Sequence, residues 1–441
     1  MKIKYFSAAM KKQFGTYCKS LGIKKGESYL LALSGGGDSV CLFHLLRFSG
    51  IEFTAAHCNY QLRGEESDGD EQFVRSLCTK YGISLEVRTF DTVSIVEQSK
   101  GNIQEVARNI RYDWFFQLLE KGNYKGILTA HHLNDSIETS LFNFCRGTDL
   151  HGLSGIPIVT NKVLRPLSCF TKKVLLDYLS ENSFHFRLDS SNLKSDYSRN
   201  KIRLEILPRF EEIFIDVDKR FRKSLENIGH ADQFVMNQIE KIRKDLFLDA
   251  EFGSRISIEE LNNLHPSEWT LSKLFAPFGM SSGVEILKLM KASSGKLIQS
   301  KEFRLIKHGD VLLLTKLAKK KKEYTITQES GTFLAPFKFT LGLVKKDLIG
   351  ENFDVEFDCN TFDLPLTIRT WKNGDYFYPI GMKGKKKISD FYSDLKLSLP
   401  EKENTWLICS GNDIMYVVGH RQDTRFSVTN ATIEKLGIKF N

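Results

Sequence analysis

No two of the eight cysteines stand in C-x-x-C spacing; they are scattered at Cys18, Cys41, Cys58, Cys78, Cys145, Cys169, Cys359 and Cys409. A zinc knuckle, an iron–sulfur cluster and a disulfide framework all need closer grouping, so reduced thiols in a cytoplasmic protein are expected. Long apolar runs are missing too. Nothing approaches the roughly 20 consecutive apolar residues of a membrane span, so no membrane partner is expected. The start, Met1-Lys2-Ile3-Lys4-Tyr5, has no apolar core and no small-residue cleavage site, so nothing in it predicts export. The chain also lacks a G-x-x-x-x-G-K-[ST] motif, which excludes a Walker A site, and shows neither internal repeats nor low-complexity segments.

What is present is the composition of a soluble globular protein, with 41% hydrophobic and 27% charged residues. At 441 residues the chain is long for one compact core, and two or three domains are expected. Lysine and arginine outnumber aspartate and glutamate by 63 to 54, a net charge of +9. A moderate positive excess suits a polyanionic partner such as RNA, although its placement matters more than its total.

The first half alternates strand-like and helix-like segments. Residues 28–33 form a short apolar run that ends at Ser34-Gly35-Gly36-Gly37-Asp38-Ser39. Residues 38–48 follow with Val40, Leu42, Phe43, Leu45 and Leu46, the pattern of a buried helix. Strand-like segments at 51–56, 84–89 and 126–130 then alternate with helix-like segments at 66–81, 103–119 and 134–145, the last capped by Asn134. This alternation predicts an α/β domain with a parallel sheet and ligands at the carboxyl ends of its strands. The glycine loop, His57 and His131-His132 are expected on that edge. From about residue 211 the character changes. Residues 216–247 read as a long, polar, basic helix; 257–290 as mostly helical, with breaks near Pro266 and Pro277; 311–314 as a strand. The run Lys319-Lys320-Lys321-Lys322 reads as a solvated linker. Short strands at 366–370 and 415–418, with the basic stretch Lys383-Gly384-Lys385-Lys386-Lys387, predict a small α+β domain with a basic edge. Expected boundaries are 1–210 for the parallel-sheet domain, 211–322 for a mainly helical middle domain, and 323–441 for the C-terminal domain.

The glycine loop follows a strand and opens a helix. Three glycines let backbone N–H groups approach a phosphate, the helix N-terminus adds a favourable field, and Ser34 and Ser39 add hydroxyls. Asp38 would repel a bare phosphate; it makes sense with a divalent cation between, so Asp38 is the expected Mg²⁺ ligand. Val40 stands where a dinucleotide fingerprint needs its third glycine. Asp135 and Glu138, at i and i+3, share a helix face beside His131-His132. Arg199 and Arg203, at i and i+4, share a face if that segment is helical, which suits phosphate; surface ion pairs are the plainer alternative.

The S-G-G-x-D-S segment resembles the PP-loop ATP pyrophosphatases, which split ATP between its α- and β-phosphates and adenylate an acceptor oxygen. Further segments narrow the resemblance. His57-Cys58-Asn59-Tyr60-Gln61-Leu62-Arg63, Gln104 to Tyr112, Thr129 to Thr139, Arg146 to Leu153, Arg165-Pro166-Leu167, Asp189-Ser190-Ser191-Asn192 and Arg199-Asn200-Lys201-Ile202-Arg203 are similar, in order, to the tRNA(Ile)-lysidine synthetases. Arg369, Gly374-Asp375, the stretch from Gly384 to Phe391, and Pro400 resemble that family's C-terminal tRNA-binding domain. Four positions depart from the pattern: Tyr60 for a histidine, Asn134 for an aspartate, Asp149 for a glycine, and Asn404 for an arginine.

The resemblance implies an ATP- and Mg²⁺-dependent ligase that joins free L-lysine to the wobble cytidine of a CAU-anticodon tRNA(Ile). It implies ATP binding by Ser34, Gly35, Gly36, Gly37, Asp38 and Ser39, and catalysis by Asp38, His132, Asp135, Glu138, Arg199 and Arg203. Arg63, Arg111, Lys383, Lys385, Lys386 and Lys387 are expected to contact tRNA, and a homodimer is left open. Two other readings stand beside this one. A PP-loop tRNA thiolase is disfavoured by the lack of C-x-x-C; a non-catalytic tRNA-binding protein is disfavoured by the intact Ser34, Asp38, His132 and Asp135.

Overall fold

The computed structural model describes residues 2–99, 101–188, 198–318, 323–345 and 353–440. The chain divides into two compact units, residues 1–235 and 236–441. Among the described residues no helix is long and apolar enough to cross a membrane.

The first unit opens with α1 (Lys2–Ser20) and is built on a six-stranded sheet. Its strands are β1 (Ser28–Ala32), β2 (Glu52–Asn59), β3 (Leu85–Thr89), β4 (Ile127–Leu128), β5 (Val159–Thr160) and β6 (Val163–Leu164), in the order β3-β2-β1-β4-β6-β5. All pairings are parallel except the β5–β6 hairpin. Helices α2 (Gly37–Ser49), α3 (Glu65–Tyr81), α4 (Thr92–Ser99), α5 (Ile103–Lys121), α6 (Leu133–Arg146), α7 (Leu150–Leu153) and α8 (Lys172–Glu181) fill the connections. The expected alternation is there, with β4 shorter than its apolar run and α4 additional. Behind the sheet, Leu31, Leu33, Leu42, Phe43, Leu45, Leu175 and Tyr178 form part of one continuous core. That core explains why α2 is apolar nearly all round.

His57 and Asn134 sit otherwise than the sequence predicts. His57 lies inside β2, where alternate side chains face opposite ways. Ala56, Cys58 and Tyr60 line the main cleft of the unit, whereas His57 and Asn59 are buried away from it. The His57 Nδ1 meets the Leu33 carbonyl at 2.9 Å, and burial holds its pKa below the ordinary value. Asn134 does not cap α6. The cap of α6 is His132, whose ring accepts from the Asp135 N–H while Asp135 accepts from the His132 N–H. Asn134 instead points across to α8, its Oδ1 accepting from the Lys172 N–H at 2.9 Å.

A buried histidine makes this unit sensitive to acid. His44 on α2 is 1% exposed, stacks on Phe184 with centroids 3.5 Å apart, and meets Tyr81 edge-on. Burial first, then Arg47 and Lys80, hold its pKa down to about 4, against 6.5 ordinarily. The unfolded chain therefore takes up this proton before the folded one. The stability is fully present above pH 6.5 and is lost as pH falls towards 4. Between pH 7 and pH 5 the loss through His44 should be about 2 kcal/mol. Urea unfolding of wild type and His44→Phe at the two pH values checks this; equal acid-side losses in both would refute it.

Beyond residue 197 come α9 (Ser198–Lys201), a π-helical turn at Ile202–Ile206, α10 (Leu207–Ile213) and the long α11 (Val217–Leu246). The second unit adds α12 (Ile258–Asn262), α13 (Ser267–Phe275) and α14 (Gly283–Met290), with the breaks near Pro266 and Pro277 that the sequence predicts. They accompany a five-stranded antiparallel sheet of Leu248–Ala250, Gly253–Ser257, Val311–Lys316, Phe303–His308 and Leu297–Gln299. Of these strands only 311–314 is evident in the sequence, since the others are short or edge pieces. The Lys319 to Lys322 run lies outside the described residues. The C-terminal part packs a five-stranded sheet on a four-stranded one, around Phe339, Phe357, Ile368, Ile408 and Leu436. Arg304 on the middle sheet is buried and reaches both carboxylate oxygens of Glu403, next to Asn404. Asn404 itself donates to the Pro400 carbonyl.

Candidate active site

One large cleft, about 1060 Å³, opens at the carboxyl edge of the parallel sheet. That size is at the upper end for single-ligand pockets, roughly 300–1,000 Å³. Three helices begin at its wall: α2 through Gly36 and Gly37, α6 through His132 and Asn134, and α8 through Lys172. Their N-termini make the cleft favourable to anions.

The glycine loop forms the floor. Gly35 has φ +90°, a left-handed conformation that a side chain strains, and Phe73 and Val74 lie 3.4 Å from where a Cβ would stand. At Gly37 a Cβ would come within 3.3 Å of the Phe186 ring. The loop is held from both sides. The Ser39 Oγ donates to the Gly36 carbonyl at 2.9 Å and sits 3.1 Å from the Ser34 Oγ. From the other side, the Arg187 N–H donates to the Gly35 carbonyl at 3.0 Å. Phe186 and Arg187 line the cleft, yet nothing in the sequence marks them; their part comes from a strand-like pairing of Arg187 with Gly36.

Asp38 projects into the cleft from the first turn of α2. One oxygen is 2.5 Å from the Lys172 ammonium and the other 3.8 Å from the His132 Nε2. The His132 Nδ1 accepts from the Asp135 N–H at 3.4 Å, and its Nε2 faces Asp38 at 3.8 Å. Lys172 is a further cleft residue that the sequence does not mark.

A second charged group sits on the α6 face that the sequence singles out. The Arg203 guanidinium donates to both oxygens of Glu138, at 2.7 and 2.8 Å, and lies 3.5 Å from Asp135. Burial pushes the Glu138 carboxyl up, against the opposing pull of Arg203. Asp135 is the more exposed of the two carboxylates. Arg203 reaches Glu138 from the π-helical turn, so the simple i, i+4 face expected for Arg199 and Arg203 is interrupted at Ile202. Arg199 belongs to α9, and its side chain lies outside the described residues, as do Asp189, Ser190, Ser191 and Asn192.

The far wall is aromatic and cationic, with Tyr60, Arg111, Tyr112 and His131. Burial first, with Arg165, Arg111 and Arg108 adding to it against the pull of Asp135, brings the His131 pKa down to about 4, so its ring is neutral at neutral pH. Tyr60, one of the departures, stacks near Phe90. Another, Asp149, caps α7 by accepting from the Gly152 N–H. Arg63 stands apart, in a smaller pocket beside Asp70, to which it is paired at 3.0 Å. In the second unit Lys386 and Lys387 form a hairpin with Tyr376 and Phe377; Lys386 pairs with Asp394, and the Lys385 ammonium lies 5.1 Å over the Tyr376 ring. Arg369 and Asp375 form a buried two-point ion pair at 2.7 and 2.9 Å.

A parallel sheet, a glycine loop without Walker A lysine, and an acid at the start of the following helix define a PP-loop, ATP-using enzyme. The PP-loop domain model matches residues 6–210; models described as the TilS substrate binding domain and the TilS substrate C-terminal domain match 250–317 and 366–435. The tRNA(Ile)-lysidine synthase of Parabacteroides distasonis is 37% identical over 93% of this chain and 95% of its own length. Those of Bacteroides thetaiotaomicron and Clostridium tetani are 36% and 31% identical, over 92% and 95% of this chain and 93% and 95% of theirs. The chain belongs to the tRNA(Ile)-lysidine synthase family.

Proposed function

We propose that the protein ligates free L-lysine onto the wobble cytidine of the CAU-anticodon tRNA(Ile) in two steps. First, the C2 oxygen of the cytidine attacks the α-phosphate of ATP, the bond from the α-phosphorus to the bridging oxygen breaks, and pyrophosphate leaves. Then the lysine ε-amine attacks C2, and AMP leaves with the former C2 oxygen. The product, lysidine, pairs with A rather than G, which moves decoding from AUG to AUA and charging from methionine to isoleucine. One observation carries this reading: a single cleft joins a phosphate cradle to a carboxylate pair beside it.

Each group then has a task. Ser34, Ser39 and the N–H groups of the glycine loop hold the phosphates. Mg²⁺ keeps several waters and phosphate oxygens and needs only one or two carboxylates from a protein; Asp38 offers one at the right place. When bound, the ion neutralises phosphate charge. The Nδ1 of His132 is taken up in the cap of α6, and its Nε2 faces Asp38 rather than the carboxylate pair. We therefore assign the base for lysine to a carboxylate. Lysine has a reference pKa near 10.4, so on the order of one molecule in 10³ is neutral at pH 7. Asp135, exposed to the cleft, takes the proton; Glu138, oriented by Arg203, fixes the amine. Arg199 and Arg203 flank the activated phosphate.

Arg63, Arg111 and the lysines at 383, 385, 386 and 387 contact the tRNA, and the chain works as three domains over 1–210, 211–322 and 323–441 in the cytoplasm. Replacing Lys383, Lys385 and Lys387 together by Ala should weaken tRNA binding and lower its salt slope by roughly 2–3, with ATP binding unchanged. Filter binding at several salt concentrations measures this. An unchanged slope would remove these lysines from the interface. The function itself is tested by incubating the protein with ATP, CAU-anticodon tRNA(Ile) and labelled lysine. Lysine-dependent AMP release with label in the tRNA is expected. Unlabelled tRNA under conditions that consume ATP would overturn the proposal.

A further inference from the structure

We propose that Lys172 is a catalytic residue of tRNA adenylation, which exchanges its partner Asp38 for the phosphates of ATP when the nucleotide and its cation enter; this rests on the function proposed above. Lys172 is the first residue of α8 and lines the same cleft as the glycine loop. Its ammonium lies 2.5 Å from Asp38, the carboxylate that stands beside the phosphate cradle.

Three observations separate this from an ordinary surface ion pair. First, the placement does nothing for the helix. A cation at the first position faces the positive end of the helix dipole, where an anion would be favoured. Second, the stem is anchored. The Lys172 N–H donates to the Asn134 side chain at 2.9 Å, and the Thr171 hydroxyl accepts from the Val174 N–H. The start of α8 is thereby tied to the start of α6, which carries His132 and Asp135. Third, Lys172 is the cation in direct contact with Asp38, whereas Arg203 turns its Nε and one Nη to Glu138.

Asp38 cannot serve a metal ion and Lys172 fully at once. If the carboxylate turns to a cation, the ammonium is released within reach of the loop that cradles phosphate, and a phosphate oxygen is the acceptor available to it. In the adenylation step the bond between the α-phosphorus and the bridging oxygen breaks, and the electron pair stays on pyrophosphate. An ammonium there offsets the developing negative charge while keeping its own proton. Without nucleotide, the Lys172–Asp38 pair keeps an acidic group quiet in an anion site.

The test uses the full-length protein and two readouts. In single turnover with ATP and CAU-anticodon tRNA(Ile), Lys172→Met should slow pyrophosphate release roughly a hundredfold, a typical loss for one charge-stabilising donor. Binding of α,β-methylene ATP should weaken by less than about tenfold, and Lys172→Arg should recover most of the rate. Separately, Mn²⁺ titrated into nucleotide-free protein should bind several-fold more tightly in Lys172→Met than in wild type, because the competing ammonium is gone. Asp38→Asn should erase that difference. Release within threefold of wild type in Lys172→Met, or equal Mn²⁺ affinity, overturns the proposal. Wild type that adenylates no tRNA would instead overturn the proposed function, while the Mn²⁺ comparison would still decide the exchange. Should Lys172→Met fail to fold, Lys172→Gln carries both readouts.

Discussion

Asp38→Ala is expected to abolish ATP-dependent adenylation of the tRNA, by roughly a thousandfold or more. The size follows from how many interactions meet at this one carboxylate. It faces Lys172 on one side and the His132 Nε2 on the other, at the mouth of the glycine loop. Removing a single pre-placed charge-stabilising donor typically costs a factor of 10² to 10³. Losing Asp38 removes the proposed metal ligand and leaves Lys172 without its carboxylate. The fold should survive. Asp38 sits in the first turn of α2, where an acidic group contributes about 0.3–1 kcal/mol, and the helix is held mainly by its buried apolar residues. Pyrophosphate release in a single turnover, with circular dichroism as the fold control, measures the outcome. A variant that retains normal activity would refute the placement of the metal.

Much of the nucleotide half of the site is legible in the sequence, because strand, glycine loop and helix are contiguous and each carries a local signal. Apolar residues at 28–33 and 40–46 announce a buried strand and helix. Ser34 to Ser39 between them announce a tight loop, which the structure shows turning into α2 at Gly37. The i, i+3 spacing of Asp135 and Glu138 announces their shared face. What cannot be read locally is whatever depends on packing between distant segments. Lys172 meets Asp38 across 134 positions, and Arg187 pairs with Gly36 only once the sheet has formed. The exchange of caps at α6 is of the same kind. Asn134 looks like a helix cap by residue type, but the preceding His132 takes that place in a reciprocal bond with Asp135, which frees Asn134 for α8. The strand at β2 shows a subtler limit. Its apolar run is clear, but its end is not. Extending it to Asn59 places His57 within the alternation, facing away from the cleft. The middle sheet is hard to see because most of its strands are short, and brief runs such as 297–299 give too little periodicity to tell strand from loop.

Breaking the Glu138–Arg203 pair from one side is expected to destabilise the first unit far more than removing both partners. Glu138 is 3% exposed, and both its oxygens are taken by Arg203. In Arg203→Met the carboxylate stays buried without its cation; because the Arg203 end of the pair is partly exposed, the cost should fall at or below the lower end of the buried-pair range, about 3 kcal/mol. Burial already pushes the Glu138 carboxyl up, so the variant should regain part of that loss as pH falls and the group takes up a proton. Glu138→Gln removes the charge but keeps the shape, and strands Arg203 beside a neutral amide; Asp135, 3.5 Å away, can take over part of its charge. The double variant should lie close to wild type in stability, since replacing a buried pair by neutral groups of similar volume is often neutral or better. Activity should not follow stability. All three variants should lose lysine incorporation by roughly a hundredfold or more, while pyrophosphate release in the first step falls much less in the double variant. Thermal unfolding across pH gives the stability cycle, and labelled lysine with single-turnover pyrophosphate release gives the two half-reactions. A double variant that is stable and also transfers lysine at the wild-type rate would assign the pair to folding alone and leave Asp135 to hold the amine by itself.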